Sequence, residues 1–320
     1  MVAFLFPLSI TTFVVMKKQL SIILTIAALS LQAQKQVVIT IDDLISNGPF
    51  KDLQHIQLVN QQVIDTAVTY GVPAIGFVNE GKLYRNNEEE ARKQILRNWL
   101  DAGLDLGNHT YSHPSLYNTP LKEFKQEVIK GQEFTTELLQ EYGKEMRYFR
   151  HPYLNTGPDS ATKASFEVFL TQNGYEVAPV TVESGDYIFN KLYANAVLEG
   201  DSSEMMAIGK AYVEHTLKMF DWYEQVSEQT IGRPIPHIYL CHVNPLNADN
   251  LGAIYQGLKD KGYEFIDLEE ALKDPAYQRT DYHIGKWGVS WLYRWDEGKV
   301  KEWLMAEPEV DPEILRKYNQ

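Results

Sequence analysis

One cysteine in 320 residues is the first constraint on this chain. With Cys241 alone, neither an intrachain disulfide nor a thiolate zinc cluster can form, and Cys241, at the end of an apolar run, reads as a small core residue. Positive charge is also short: 30 Lys and Arg stand against 43 Asp and Glu, for a net charge of −13. That balance argues against nucleic acid and anionic lipid surfaces as partners. Long unbroken apolar runs are missing too. Lys17 and Lys18 divide Val2 to Val15 from Leu20 to Leu31, so neither stretch reaches the roughly 18 to 20 residues of a membrane span. There is no internal repeat and no low-complexity segment.

What the N-terminus does have is the order of a secretory signal peptide: Lys17 and Lys18, the apolar run Leu20 to Leu31, then small and polar residues around Ala33 and Gln34. Residues 1–33 are therefore expected to be removed, with Met16 as a candidate true start. The mature chain, secreted or periplasmic and without a membrane span, would carry a net charge of −15 once both lysines are gone.

The remaining residues, 44% hydrophobic over the whole chain, are enough for one large α/β domain or two ordinary ones. Apolar runs recur at Val37–Ile41, Val72–Val78, Leu104–Gly107, Arg147–Arg150, Tyr175–Val180, Ile238–Cys241 and Glu264–Ile266. Segments of helical spacing separate them, such as Leu53, Ile56, Val59, Val63 and Ala67. Seven strands alternating with helices predict a parallel sheet, open or closed into a barrel; a barrel-like closure suits the count better than a two-layer sandwich, and a doubly wound sheet is the alternative that the pattern leaves open. A long helical stretch over 203–229 is placed as a cap on the barrel mouth. From residue 274 the chain turns rich in tryptophan. Trp287, Trp291 and Trp295 recur every four residues, as on a helix face docked against the barrel, and Trp303 follows.

The residues with chemistry in them follow the strands, at the end where parallel α/β folds build their sites. The first strand ends in Asp42 and Asp43. Adjacent strand residues face opposite sides, which suits one carboxylate to a metal and its neighbour to a nucleophilic water. The third strand leads to His109 and His113, a His-x-x-x-His pair that one helical turn would set on a common face. With Asp43 they make two histidines and a carboxylate, the ligand number that leaves a catalytic zinc open to water. The fourth strand ends Arg150, His151, Pro152, Tyr153. Arg150 is expected either to hold Asp42 ionised or simply to pair with a surface carboxylate, and Pro152 is expected to stiffen the turn that aims the Tyr153 amide. The fifth leads to Asp186 and the sixth ends in His242, a carboxylate and an imidazole suited to act as a general acid pair.

Taken in this order, the five elements resemble the five motifs of the polysaccharide deacetylase family over roughly Gln36 to Leu272. The resemblance implies a distorted (β/α) barrel over residues 34–273, with 274–320 as a helical C-terminal extension packed on it. It implies Asp42 as catalytic base and Asp43, His109 and His113 as metal ligands. It further implies Arg150, Pro152 and Tyr153 as the loop whose tyrosine amide stabilises the oxyanion, His242 as general acid and Asp186 as its partner. Leu44 departs from the family's usual glycine. The segment after Asp186, Tyr187 to Asn190, lacks the second aspartate and the tryptophan common there, and His151 occupies a variable position.

The expected activity is metal-dependent hydrolysis of N-acetyl groups from a carbohydrate, with acetate as product. Zn2+ suits the mixed nitrogen and oxygen ligands, and Co2+, Ni2+ or Fe2+ suit the same set. Rival readings are an O-acetyl esterase or other amide hydrolase on the same scaffold, and a non-catalytic carbohydrate-binding relative. An iron oxygenase would share the ligand set but leave Asp42 and His242 without roles.

Overall fold

The computed structural model describes residues 34–320, so the expected leader and the candidate start at Met16 lie outside the described residues. Eight strands form one sheet: β1 (Lys35–Leu44), β2 (Ile75–Val78), β3 (Asp105–Asn108), β4 (Tyr148–Phe149), β5 (Glu176–Val177), β6 (Val182–Glu183), β7 (His237–His242) and β8 (Tyr263–Phe265). Every pairing is parallel. The order is β5-β4-β3-β2-β1-β7-β6, with β8 against the first residues of β1. β1 is flanked by β2 and β7, which explains its near-continuous run of buried Val37, Val38, Ile39 and Ile41 in place of an apolar-polar alternation.

The order itself shows that the sheet curls. β5 and β6 stand at opposite ends of the path, yet only residues 178–181 join them, a reach of about 18 Å at most. Seven strands laid flat, about 4.8 Å apart, would separate those ends by about 29 Å. The sheet must wrap into a distorted barrel. At the seam the C-terminal segment fills in: Trp291 N–H donates to Val180 O at 2.8 Å and Ser290 Oγ to Thr181 O at 2.8 Å.

Helices occupy the crossovers. Leu53–Tyr70 joins β1 to β2 and buries Ile56, Val59, Val63 and Ala67 on one face. Its start is capped by the Asp52 side chain and its end by Gly71 at φ 65, where glycine avoids the steric penalty of a left-handed residue. Glu89–Asp101 leads to β3 and sends Trp99 into the core, where its Nε1–H donates to Asn60 Oδ1 at 3.1 Å. Asn60 in turn donates to Ile45 O at 2.8 Å, tying both helices to the turn that follows β1.

All seven expected strands are present. The fifth shortens to Glu176–Val177, and β6 was not foreseen, because two residues carry no readable period. The long helix spans Ser202–Thr230 and packs in the outer layer against β6 and the helix Pro245–Asp260, so it does not cap the mouth. In the tail only Trp291–Arg294 of the expected tryptophan face is helical. Trp291 and Trp295 are buried and Trp303 stacks on Tyr293, whereas Trp287 is 64% exposed.

Candidate active site

The site begins where β1 loses its regular register, between Ile41 and Leu44. Asp42 lies beside His242 in the ladder of β1 and β7, so a carboxylate and an imidazole sit at the ends of adjacent strands. Strict alternation would send Asp43 to the opposite face. Instead its φ of 69 swings the carboxylate back toward the histidine loop, with Oδ1 3.8 Å from His113 Nε2. The expectation that the two carboxylates face opposite sides fails for that reason. Five of the seven non-glycine residues with positive φ among the described residues belong to this mouth: Asp43, Thr110, His113, Tyr153 and Leu154. Such backbone persists only where its surroundings over-determine it, which is typical of functional sites.

His109 and His113 follow β3, but not on a helix as their spacing suggested. Residues 109–113 form a turn with Thr110 and His113 in the left-handed region, and the two rings meet edge to face at 4.8 Å. Neighbouring polar groups hold the turn. Asn79 Nδ2 donates to His109 O at 2.6 Å, Gly81 N–H to Tyr111 O at 2.9 Å, and the Ser112 N–H and hydroxyl to Glu127. Gly81 is required by proximity, since a Cβ there would lie 2.7 Å from Tyr111 O. His109 Nδ1–H donates to Arg150 O at 2.8 Å, which fixes the tautomer and leaves Nε2 free as a ligand.

Arg150 is fully buried. Its Nη2 donates to Thr40 Oγ1 at 2.8 Å, Nη1 lies 3.7 Å from Asp42 Oδ2, and the guanidinium covers the Phe77 ring. His151, one residue on, is buried edge to face against Phe149 and Phe166, so it does not face solvent. Pro152 starts a short turn in which Tyr153 adopts φ 55. The Tyr153 ring packs on His113 at 4.6 Å, and its N–H has no acceptor among the described residues.

Asp186 opens the helix Asp186–Glu199 behind Gly185, and four groups converge on it. Its Oδ1 accepts from His242 Nδ1–H at 2.8 Å. Its Oδ2 accepts from His242 N–H at 2.9 Å, from Asn247 Nδ2 at 2.7 Å and from Asn244 Nδ2 at 3.3 Å. The departure in sequence after Asp186 has not moved this carboxylate off His242.

These contacts set the charges. Burial lifts Asp42 to about 6, against the opposing pull of Arg150 and His242. Burial alone would depress His242, but the Asp186 charge and hydrogen bond prevail and raise it to about 9. Asp186 resists burial through the same partnership and stays below the usual carboxylate range. His109 and His113 are pushed down by burial, keeping both rings neutral and able to ligate. Asp43 overcomes its burial through Lys82 and His113 and is held well below its ordinary value.

Lys82 and Asn47 are the site residues that sequence reading missed. Lys82 Nζ donates to Asp43 O at 2.8 Å and Oδ1 at 3.0 Å, while Asn47 Nδ2 donates to Oδ2 at 2.6 Å. A signal existed: Asn79 to Lys82 is a polar run directly after β2, placed like the other strand-end motifs. A carboxylate has about four lone-pair sites, so Asp43 can serve Lys82, Asn47 and an ion together.

The ligand atoms of Asp43, His109 and His113 all lie within 4.8 Å of one another. Buried Asp42 Oδ1 has no donor among the described residues, leaving a basic atom beside that cluster. The donor set and its setting therefore fit a divalent cation with a water to activate.

Residues 31–168 match the family model for polysaccharide deacetylase. No curated protein matches the chain. Among solved structures, a polysaccharide deacetylase from Bacillus cereus superposes with a TM-score of 0.52 at 19% identity, covering 73% of this chain and 92% of that one. A CE4 family pseudoenzyme from Bacillus anthracis superposes with a TM-score of 0.51 at 14% identity, covering 75% of this chain and 66% of that one. At such identities the likeness is one of fold. The family match includes Asp42, Asp43, His109, His113, Arg150 and Tyr153, while Asp186 and His242 lie beyond it. Family match and shared fold agree: over residues 31–168 the chain is similar to the polysaccharide deacetylase family, and the described residues share the fold of a solved polysaccharide deacetylase.

Proposed function

We propose that this protein hydrolyses N-acetyl groups of an amino-sugar polymer or oligomer and releases acetate, with a divalent cation, Zn2+ first among candidates, held by Asp43, His109 and His113. The observation that carries this reading is the convergence of those ligand atoms, within 4.8 Å, with the adjacent strand-end residues Asp42 and His242. When bound, such an ion polarises an acyl oxygen and acidifies a water. Asp42, buried and facing the cluster, takes the proton from the attacking water. The Tyr153 N–H, lacking an acceptor among the described residues, supports negative charge as it develops on the acyl oxygen. Arg150 keeps Asp42 ionised within the apolar wall. His242, protonated through Asp186, donates its proton to the departing nitrogen.

The last step favours an amide over an ester. An amine leaves badly unless protonated, and the Asp186–His242 pair is built to keep that proton available. The presence of base, acid and all three ligands likewise speaks for turnover over mere sugar binding. The Lys17, Lys18 and Leu20 to Leu31 pattern supports export, which fits a substrate outside the cytoplasm.

The test is acetate release from N-acetylglucosamine oligomers and from O-acetylated xylan, with metal content measured on the same preparation. Acetate from the N-acetylated substrate with about one metal per chain is the expected result. Acetate from xylan alone would move the assignment to an esterase, and neither product would remove the hydrolytic reading.

The Asp186–His242 pair predicts the alkaline side of the pH profile. His242 is protonated below about 9, so kcat/KM should hold through neutral pH and fall as pH rises past that value. In Asp186→Asn the charge that raises His242 is gone, and the alkaline limb should move down by roughly 1–2 pH units. An unmoved limb would show that another group is the acid.

A further inference from the structure

The turn carrying the Tyr153 N–H is held from a distant part of the chain. Gly288 N–H donates to Tyr153 O at 3.0 Å, and Arg294 Nη2 donates to Leu154 O. Asn155 Nδ2 and Thr156 Oγ1 reach Lys286 O and His283 O, both at 3.5 Å. Arg294 is itself anchored, with no exposed surface: Nε donates to Val289 O at 2.7 Å, Nη1 approaches Asp281 Oδ2 at 3.3 Å, and the guanidinium lies 3.6 Å over the Trp291 ring. Asp281 is tied to the helix after the turn by Lys163 Nζ at 2.8 Å.

Tyr153 and Leu154 are consecutive non-glycine residues at φ 55 and 53, each costing about 1–2 kcal/mol in local strain. Such a turn relaxes unless its peptide planes are pinned. The plane of Tyr153 O and Leu154 N–H is pinned at one end by Gly288 and at the other by His151 O, 3.0 Å from Leu154 N. The Tyr153 N–H lies in the preceding peptide plane, which is joined to this one through the φ and ψ of Tyr153 and is itself held by the Asn155 N–H donating to Pro152 O at 3.3 Å, with Asn155 reaching Lys286 O in turn; holding both planes restricts the direction of the N–H.

We propose that residues 281–294 act as a latch that orients the Tyr153 N–H toward the reacting acyl group, making Gly288 and Arg294 positioning residues for hydrolysis. The inference rests on the hydrolytic reading above. The segment lies outside the family match, so the match itself assigns it no role. Gly288 offers a narrow probe. Its φ lies outside the left-handed region, so alanine is allowed by the backbone, yet a Cβ there would sit 2.2 Å from Leu154 Cβ and 2.5 Å from Leu154 C and O. Gly288→Ala must push the turn while replacing none of the proposed metal ligands.

The experiment compares full-length wild type, Gly288→Ala and Arg294→Gln in metal content, kcat and KM for acetate release, and hydrogen exchange in the peptide covering residues 148–158. In Gly288→Ala we expect unchanged metal content, faster exchange confined to that peptide, and kcat lower by about 10- to 100-fold, since misplacement by about 1 Å can cost a hundredfold. KM should stay within about threefold, because the N–H acts on charge that develops during reaction. Arg294→Gln should loosen the same peptide; if it fails to fold, Gly288→Ala alone decides. Wild-type exchange at 148–158 in Gly288→Ala overturns the latch, as does a loosened turn with unchanged kcat. A wild type that releases no acetate counts against the hydrolytic reading, and the exchange result still decides whether the latch holds the turn.

Discussion

Asp42→Asn should leave a folded protein with its full complement of metal and almost no acetate release. Asn preserves the shape of the side chain and removes its basicity, so the attacking water keeps its proton. General base catalysis is typically worth about 10²- to 10⁴-fold, and the loss should fall on kcat. The ligands are separate residues, so metal content should not change. Asp42 Oδ2 is, however, 3.7 Å from both Arg150 Nη1 and His109 Nε2 in a buried setting. Neutralising it leaves the Arg150 charge without its carboxylate. Breaking a buried ion pair can destabilise by about 3–5 kcal/mol, so a lower melting temperature should accompany the loss of activity. Metal content, thermal melting and acetate release on one preparation separate the two effects. Wild-type turnover by Asp42→Asn would mean that the base lies elsewhere.

Asp43→Ala should fail differently, by losing the ion. It removes one of the three proposed ligands, and it also frees the Lys82 ammonium, which donates to Asp43 Oδ1 at 3.0 Å. The remaining pocket, two neutral imidazoles beside an unpaired cation, repels a second cation. The loss in affinity should exceed the about 10- to 100-fold typical of removing an outer partner of a ligand. Titration with Zn2+ monitored by calorimetry is the check: no saturable site at micromolar metal is expected. Retention of about one tightly bound ion would show that Asp43 is not a ligand and would shift attention to Asp42.

How much of this was visible in the chain of residues depends on the distance over which each feature is decided. β1 was plain because a buried parallel strand needs a run of β-branched residues, and Val37 to Ile41 supplies one. Asp42, Asp43, His109, His113, Arg150, Tyr153, Asp186 and His242 stood out because each follows such a run within a few positions. Their side-chain directions did not. Asp43 turns at φ 69 and His113 at φ 62, and no spacing rule encodes a left-handed residue that is not glycine. Lys82 escaped notice because its meaning comes from a partner 39 positions away. Trp287, Trp291 and Trp295 shared a period without sharing a face, since residues 281–290 follow the contour of the mouth and not a helix.

The attachment of Gly288 and Arg294 to Tyr153 and Leu154 has a temporal consequence. The mouth is assembled from positions between 42 and 294, so contacts joining early and late parts of the chain are needed before it is complete. Loops closed over such separations form slowly, and synthesis delivers residue 294 only after every other contributor. The turn that presents Tyr153 therefore remains unlatched while the chain is being made.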